Sequence, residues 1–141
     1  RLCGECKQAY TPTQEEMKSL LTEYCEELLN TDAFKKDTKA AYEAVYKEWT
    51  KAYSNDKGQF TLYRAKGCDK CNNTGYKGRV GLNELLVGSD TIKKQIQEHA
   101  RVAELLATGL NEGMVTLKMD GIQKVLQGIT DIKQIRAVCI K

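Results

Sequence analysis

The chain has 141 residues, 41% of them hydrophobic and 29% charged, and its 22 Lys and Arg against 19 Asp and Glu leave a formal charge of +3. These proportions suit one folded domain with a real core, and they exclude a disordered tail, a collagen-like repeat and, with no apolar run of about 18 residues, a membrane-spanning helix. The basic residues are spread along the chain rather than gathered into a stripe, so no nucleic-acid partner is expected.

The opening Arg1-Leu2-Cys3-Gly4-Glu5-Cys6 has no apolar stretch behind its basic residue. It does not read as a signal peptide, and the start reads as a cut inside a longer protein. Beyond it, Pro12 and Thr13 announce a helix, with Thr13 and Glu16 spaced as a capping box. Met17, Leu20, Leu21, Tyr24, Leu28 and Leu29 recur at three and four, which puts one stripe against a core with Cys25 beside it. Residues 31–58 read as a second amphipathic helix, carrying Phe34, Ala41, Tyr42, Val45, Trp49 and Ala52 on one side and ending at Asn55-Asp56-Lys57-Gly58. Gln59 to Ala65 alternates as a strand does. Asn72 to Gly75 and Gly78 predict tight turns, because Asn and Gly tolerate positive φ, and Arg79 to Val87 is expected to form another strand.

From Ser89 onward the pattern is helical in short pieces. Ser89 or Asp90 caps a helix with Ile92 and Ile96, and Val102, Leu105, Leu106 and Leu110 mark the next, stopped near Gly113. Thr116 opens a third with Leu117, Ile122, Val125 and Leu126, ended by Gly128, and Thr130 caps a last one with Ile132, Ile135 and Val138.

Four of the six cysteines stand as two CxxC pairs, Cys3 with Cys6 and Cys68 with Cys71. A CxxC turn puts both sulfurs on one side, and two such turns supply the four thiolates of a tetrahedral zinc site. Gly4, and Gly67 ahead of Cys68, are expected to let backbone amides point at the sulfurs. Ordinary zinc ribbons separate their pairs by about 15–20 residues, whereas residues 7–67 lie between these. Doubling a loop costs only about 0.6 kcal/mol, against about 10–16 kcal/mol for structural zinc binding in finger peptides, so the long spacer is tolerated if it folds on itself. A redox pair needs a βαβ setting that is missing, and chance burial does not produce two such pairs. Cys25 and Cys139 read as single buried thiols in a reducing compartment. There is no GxxxxGK[ST] phosphate loop, and the single histidine, His99, reads as solvated.

Three motifs in order, RLCGEC, GCDKCNNTGYKGRVGLNELL and GMVTLKMDGIQKVLQGITDIKQIRAV, resemble the C-terminal end of the ATPases that drive type II secretion and type IV pilus assembly. They are similar to that family's GCxxCxxTGYxGRxGxxE and GMxTLxxDGxxKVxxGxT patterns, and the likeness covers about residues 1–30 and 59–141. The resemblance implies a hexameric, RecA-like motor as parent, with ATP and Mg2+ bound upstream of the region seen here. A piece without that phosphate loop is expected to be inactive alone.

Carried over by motif, Cys3, Cys6, Cys68 and Cys71 fall on structural Zn2+ ligands, and Arg79 and Glu84 on the family's Arg and Glu beyond the second pair. Such an Arg either senses a γ-phosphate or a neighbour's carboxylate at a subunit boundary, or pairs with Glu84 within the domain. The implied partners are neighbouring subunits of a homohexamer and inner-membrane platform proteins, at the cytoplasmic face of the inner membrane and peripheral to it. Residues 31–58 exceed the family's usual spacer. Their aromatic face is expected to pack on the first helix, with a partner-binding arm as the sharper reading.

The expected fold is mixed α/β (α+β). Residues 1–88 would be a zinc-held module with short strands and a helical insertion at 31–58, and residues 89–141 a tail of short helices. The alternative from another class is a free-standing zinc-ribbon interaction module, akin to the CxxCxxTG knuckles of some chaperones, for which the GMVTLKMDG tail has no purpose.

Overall fold

A computed structural model describes residues 1–139. Among these residues two three-residue strands and seven α-helices make an α+β fold, with β1 at Gln8–Tyr10, α1 at Gln14–Glu26, α2 at Asp32–Lys36, α3 at Thr38–Tyr53 and β2 at Leu62–Arg64. The helical tail follows, with α4 at Asp90–Gln97, α5 at Val102–Asn111, α6 at Leu117–Leu126 and α7 at Ile132–Val138.

The strands pair antiparallel, Gln8 with Arg64, Ala9 with Tyr63 and Tyr10 with Leu62. The expected strand over 59–65 is thus trimmed to its centre, while Phe60, two residues ahead on the same face, is buried with Leu62 and bridges back to Ser54. The sequence reading assigns no element to β1, since three residues are too few to show a period. A lone two-stranded ribbon is marginal in water, so this one depends on what packs against it, including α6.

Local capping chemistry explains most helix boundaries. Thr13 Oγ1 accepts the Glu16 amide at 3.1 Å and starts α1 as predicted, but the Glu16 carboxylate accepts the Tyr10 hydroxyl at 3.3 Å rather than completing a capping box. The helix ends at Glu26, so Leu28 and Leu29 lie in a turn, Leu29 exposed. Residues 31–58 form two helices where one was expected. Asp37 adopts an extended backbone (φ −154°, ψ 93°), breaks the run, and caps α3 by accepting the Ala40 amide at 3.1 Å. Asp competes for backbone donors and so favours a cap over a helix interior. The apolar stripe survives the break, because Phe34, Ala41 and Trp49 are all buried.

Three further expectations are corrected. Residues 79–87 form no strand, as no neighbouring ladder exists for them among the described residues. The cap of α7 is Asp131, whose Oδ1 accepts the Gln134 amide at 3.0 Å, while Thr130 is buried. Ile96, Val102 and Val138, placed on apolar faces by spacing, are exposed. Ser89 and Thr116 cap α4 and α6 as predicted.

The core is continuous across the chain. Met17, Leu20 and Tyr24 of α1 join Phe34, Trp49 and Leu62 with Leu110, Met119, Ile122, Val125 and Ile135 of the tail. Phe34 of α2 meets Tyr42 of α3 edge-on at 5.3 Å and closes the hairpin, and Trp49 of α3 meets Tyr24 of α1 likewise at 5.3 Å, so the hairpin folds onto α1 through Trp49. Such pairs add about 0.5–1.5 kcal/mol each beyond area burial. Because Ile122 is fully buried at the centre of this core, Ile122→Ala should cost about 2–5 kcal/mol in urea unfolding. Val138→Ala, at an exposed position, should stay within about 0.5 kcal/mol of the parent.

Candidate metal centre

The two CxxC turns meet across a short backbone junction. Leu2 and Tyr76 form an antiparallel bridge, in which the Cys3 amide donates to the Gly75 carbonyl at 2.9 Å and the Lys77 amide to the Arg1 carbonyl at 3.0 Å. This pairing lays the loop of residues 3–6 beside that of 68–71. The second loop closes on itself as a single 3-10 turn over Asp69–Cys71, and Asn72 and Asn73 both take positive φ (55° and 61°) to turn the chain back, as their side chains tolerate.

As a result the sulfurs of Cys3, Cys6, Cys68 and Cys71 all lie within 4.8 Å of one another. The Cys3 to Cys68 and Cys6 to Cys71 separations are 3.8 Å, and Cys68 to Cys71 is 3.7 Å. A tetrahedron with metal–sulfur bonds of about 2.3 Å has edges of about 3.8 Å, so this donor set fits a tetrahedral thiophilic ion. All six cysteines are free thiols.

The surroundings favour charge on one sulfur. Burial works to raise the Cys71 thiol, but the amides of Cys68 and Gly75, each 3.2 Å from its Sγ, and the Cys68 and Cys6 thiols outweigh it and bring the pKa down to about 6. Cys6 shows the converse. Burial pushes it up, the Gly67 amide pulls it down, and the thiols of Cys68, Cys3 and Cys71 leave it at about 11. Four adjacent thiols cannot all ionise without a cation among them. Cys25 lies apart, fully buried in the core, and burial alone lifts it to about 12, so it stays a thiol.

Gly67 was expected to aim an amide at sulfur and does so, at Cys6. The other amides belong to Cys68 and Gly75, not to the neighbourhood of Gly4. Gly75 sits at φ +84°, and a Cβ there would lie 2.5 Å from the Ala65 Cβ. The position therefore needs glycine for both conformation and space.

The sequence reading missed the attachment of these loops to the far end of the chain. The Leu2 amide donates to the Ile129 carbonyl at 2.9 Å, Lys7 Nζ to the Gly128 carbonyl at 2.9 Å, and the Tyr76 hydroxyl to Asp131 Oδ2 at 2.5 Å. Lys7 also stands 4.4 Å from the centre of the Tyr63 ring. The cysteine loops thus grip the turn between α6 and α7 at three points. A Gly-Tyr pair in the second loop and Asp131 before the last helix were the only local signals, and neither names its partner.

Arg79 and Glu84 lie outside the cluster. Both are exposed, and among the described residues no ion pair joins them. Arg79 borders a cleft with Arg1, Leu117 and Val138, whereas Glu84 borders a separate one with Glu27 and Lys118. His99 is exposed at the end of α4, at φ 57°.

Residues 1–137 match the family model described as Type II/IV secretion system protein. The chain is 37% identical to the Type II secretion system ATPase E of Vibrio cholerae over 103 residues, which is 72% of this chain and 20% of that protein. It is 41% identical to the Type IV pilus assembly ATPase PilB of Thermus thermophilus over 80 residues, 57% of this chain and 9% of that protein. With the Type II secretion system protein E of Dickeya dadantii it shares 42% identity over 76 residues, 53% of this chain and 15% of the relative. The aligned stretch is thus between 9% and 20% of the length of these relatives.

The two glycines give a direct check on the loop geometry. Gly75→Ala should destabilise the chain by about 1–3 kcal/mol through its positive φ, with the clash against Ala65 added. Gly4→Ala, whose new Cβ has open space around it, should leave the urea midpoint unmoved.

Proposed function

The chain belongs to the Type II/IV secretion system protein family, and from that premise we propose that it is the zinc-held C-terminal region of a secretion or pilus-assembly ATPase. The observation that carries this reading is the convergence of four cysteine sulfurs at tetrahedral spacing. Cys3, Cys6, Cys68 and Cys71 would hold one Zn2+, which when bound supplies a fixed positive charge among thiolates. Four protein ligands leave no position for water, so the role is structural. ATP and Mg2+ belong, on this reading, to the rest of the parent.

What the chain's own residues do is join three parts. The cysteine loops anchor the strand pair at whose far side the α1–α3 arm begins, and through Leu2, Lys7 and Tyr76 they hold the α6–α7 turn. A region so joined moves as one body when nucleotide-driven motion in the parent displaces any part of it. We assign it the task of passing that motion to neighbouring subunits of a homohexamer and to platform proteins at the cytoplasmic face of the inner membrane. Among the described residues no helix is long and apolar enough to cross a membrane, which suits attachment through partners. Arg79, exposed in a cleft beside α7, is the residue we place nearest a subunit boundary.

Protein purified under reducing conditions should carry one zinc per chain by elemental analysis, and Cys71→Ser should abolish stoichiometric zinc. Metal-free native protein would overturn the assignment. Because the cysteine loops hold Gly128 to Asp131, chelation should speed amide exchange in α7 as well as in the loops, and Tyr76→Phe should loosen α7 with zinc content intact. In the full-length parent, Arg79→Ala should lower ATPase rate or hexamer yield, and unchanged values for both would remove Arg79 from the boundary.

A further inference from the structure

Gly75 lies at the junction of the two cysteine loops, and its backbone serves both. Its amide donates to Cys71 Sγ at 3.2 Å, and its carbonyl accepts the Cys3 amide at 2.9 Å. Positive φ and the close approach of Ala65 reserve the position for glycine. Yet glycine is the residue least able to hold a direction by itself, because without a Cβ it has the widest choice of backbone conformations. The groups that fix the two Gly75 peptide units must therefore come from its neighbours.

Thr74 supplies them from a single side-chain atom. Its Oγ1 stands 2.7 Å from the Cys71 carbonyl and 2.9 Å from the Tyr76 carbonyl, and it accepts the Tyr76 amide at 3.2 Å. A hydroxyl has one proton to donate and two lone pairs, so it can give its proton to either carbonyl while it holds the Tyr76 amide. These partners flank Gly75 on both sides, at the residue that carries the sulfur and at the residue that follows the glycine. Thr74 itself is exposed. Packing does not account for the residue, and the hydroxyl does.

We infer that Thr74 is a positioning residue of the metal centre, whose hydroxyl keeps the Gly75 amide on Cys71 Sγ and so sets how tightly the four cysteines hold Zn2+. An amide aimed at sulfur favours the thiolate over the thiol. Groups that orient metal ligands without touching the metal are worth about 10–100-fold in metal affinity. Cys71 receives a second amide, that of Cys68 at 3.2 Å, from the 3-10 turn itself. That bond does not pass through Thr74, so the two amides can be told apart by experiment. The inference rests on the reading of Cys3, Cys6, Cys68 and Cys71 as zinc ligands.

Thr74→Val and Thr74→Ser in the 141-residue chain test it, since Val keeps the branched shape without the hydroxyl and Ser keeps the hydroxyl without the methyl. In competition with a chromophoric chelator, Thr74→Val should bind zinc about 10–100-fold more weakly than the parent, and Thr74→Ser should restore the parent's affinity. Isotope-labelled protein loaded with spin-active cadmium gives a signature that general destabilisation does not. The amide protons of Cys68 and Gly75 should both couple to the metal through the Cys71 sulfur in the parent and in Thr74→Ser, whereas Thr74→Val should lose the Gly75 coupling alone. Parent-like affinity in Thr74→Val, a Gly75 coupling that survives there, or failure of Thr74→Ser to restore both would overturn the proposal. Loss of both couplings together in Thr74→Val would overturn it too, because the hydroxyl would then be holding the whole loop rather than one amide. A parent that takes up neither zinc nor cadmium fails the metal assignment and this proposal together, and a parent that binds zinc with indifference to Thr74 fails this proposal alone.

Discussion

The convergence of four sulfurs is the constraint on which this fold depends. Residues 3–6 and 68–71 are brought together by one small backbone bridge and a three-residue ladder, and neither is enough by itself to close so long a loop. Apposed thiols without a cation are a further difficulty, visible in the opposite displacement of Cys71 and Cys6. A divalent ion bound there would remove that repulsion and link both loops at once. The three amides aimed at Cys6 and Cys71 show that the backbone is arranged for negative charge at sulfur.

Around that point the loops also act as a fastening for distant parts. Leu2, Lys7 and Tyr76 reach Ile129, Gly128 and Asp131, and the Asp131 carboxylate serves two purposes, with one oxygen capping α7 and the other receiving the Tyr76 hydroxyl. Burial, then the Asp131 carboxylate, holds that hydroxyl above the usual phenol range, so it remains a donor. On the other side of the chain Glu23 of α1 meets Arg136 of α7 and lies 4.0 Å from Lys118 of α6. Glu23 and Lys118 are half-buried and Arg136 is exposed, and the apolar seam from Met17 to Ile135 carries the packing. Cysteine loops and core thus constrain the α6–α7 pair from two directions.

The long spacer between the cysteine pairs is accommodated for a related reason. Asp37 divides residues 31–58 into two helices, the Phe34–Tyr42 contact closes them on each other, and the Trp49–Tyr24 contact folds the pair back on α1. The arm therefore brings its own core with it. Its ends are delivered to β1 and β2 at the spacing the cysteine loops require, so its length adds little strain to the cysteine cluster.

The sequence by itself determined what depends on neighbours within a few residues. Ser89 and Thr116 cap their helices because a side-chain oxygen reaches an amide three residues on, the CxxC turns present paired sulfurs, and positive φ falls on Asn72, Asn73, Gly75 and Gly78. Where two local signals competed, as at Thr130 and Asp131 or at Asp37 within an apolar stripe, periodicity chose wrongly, since it records faces and not donors. Only the tertiary structure decided the pairing of β1 with β2, the contact of Leu2 with Tyr76, and the grip on the α6–α7 turn. Each of these joins residues far apart in the chain, and no spacing rule encodes which distant group will satisfy a given amide or hydroxyl. The same limit governs residues 79–87, whose apolar content is legible in the sequence but which join no ladder among the described residues.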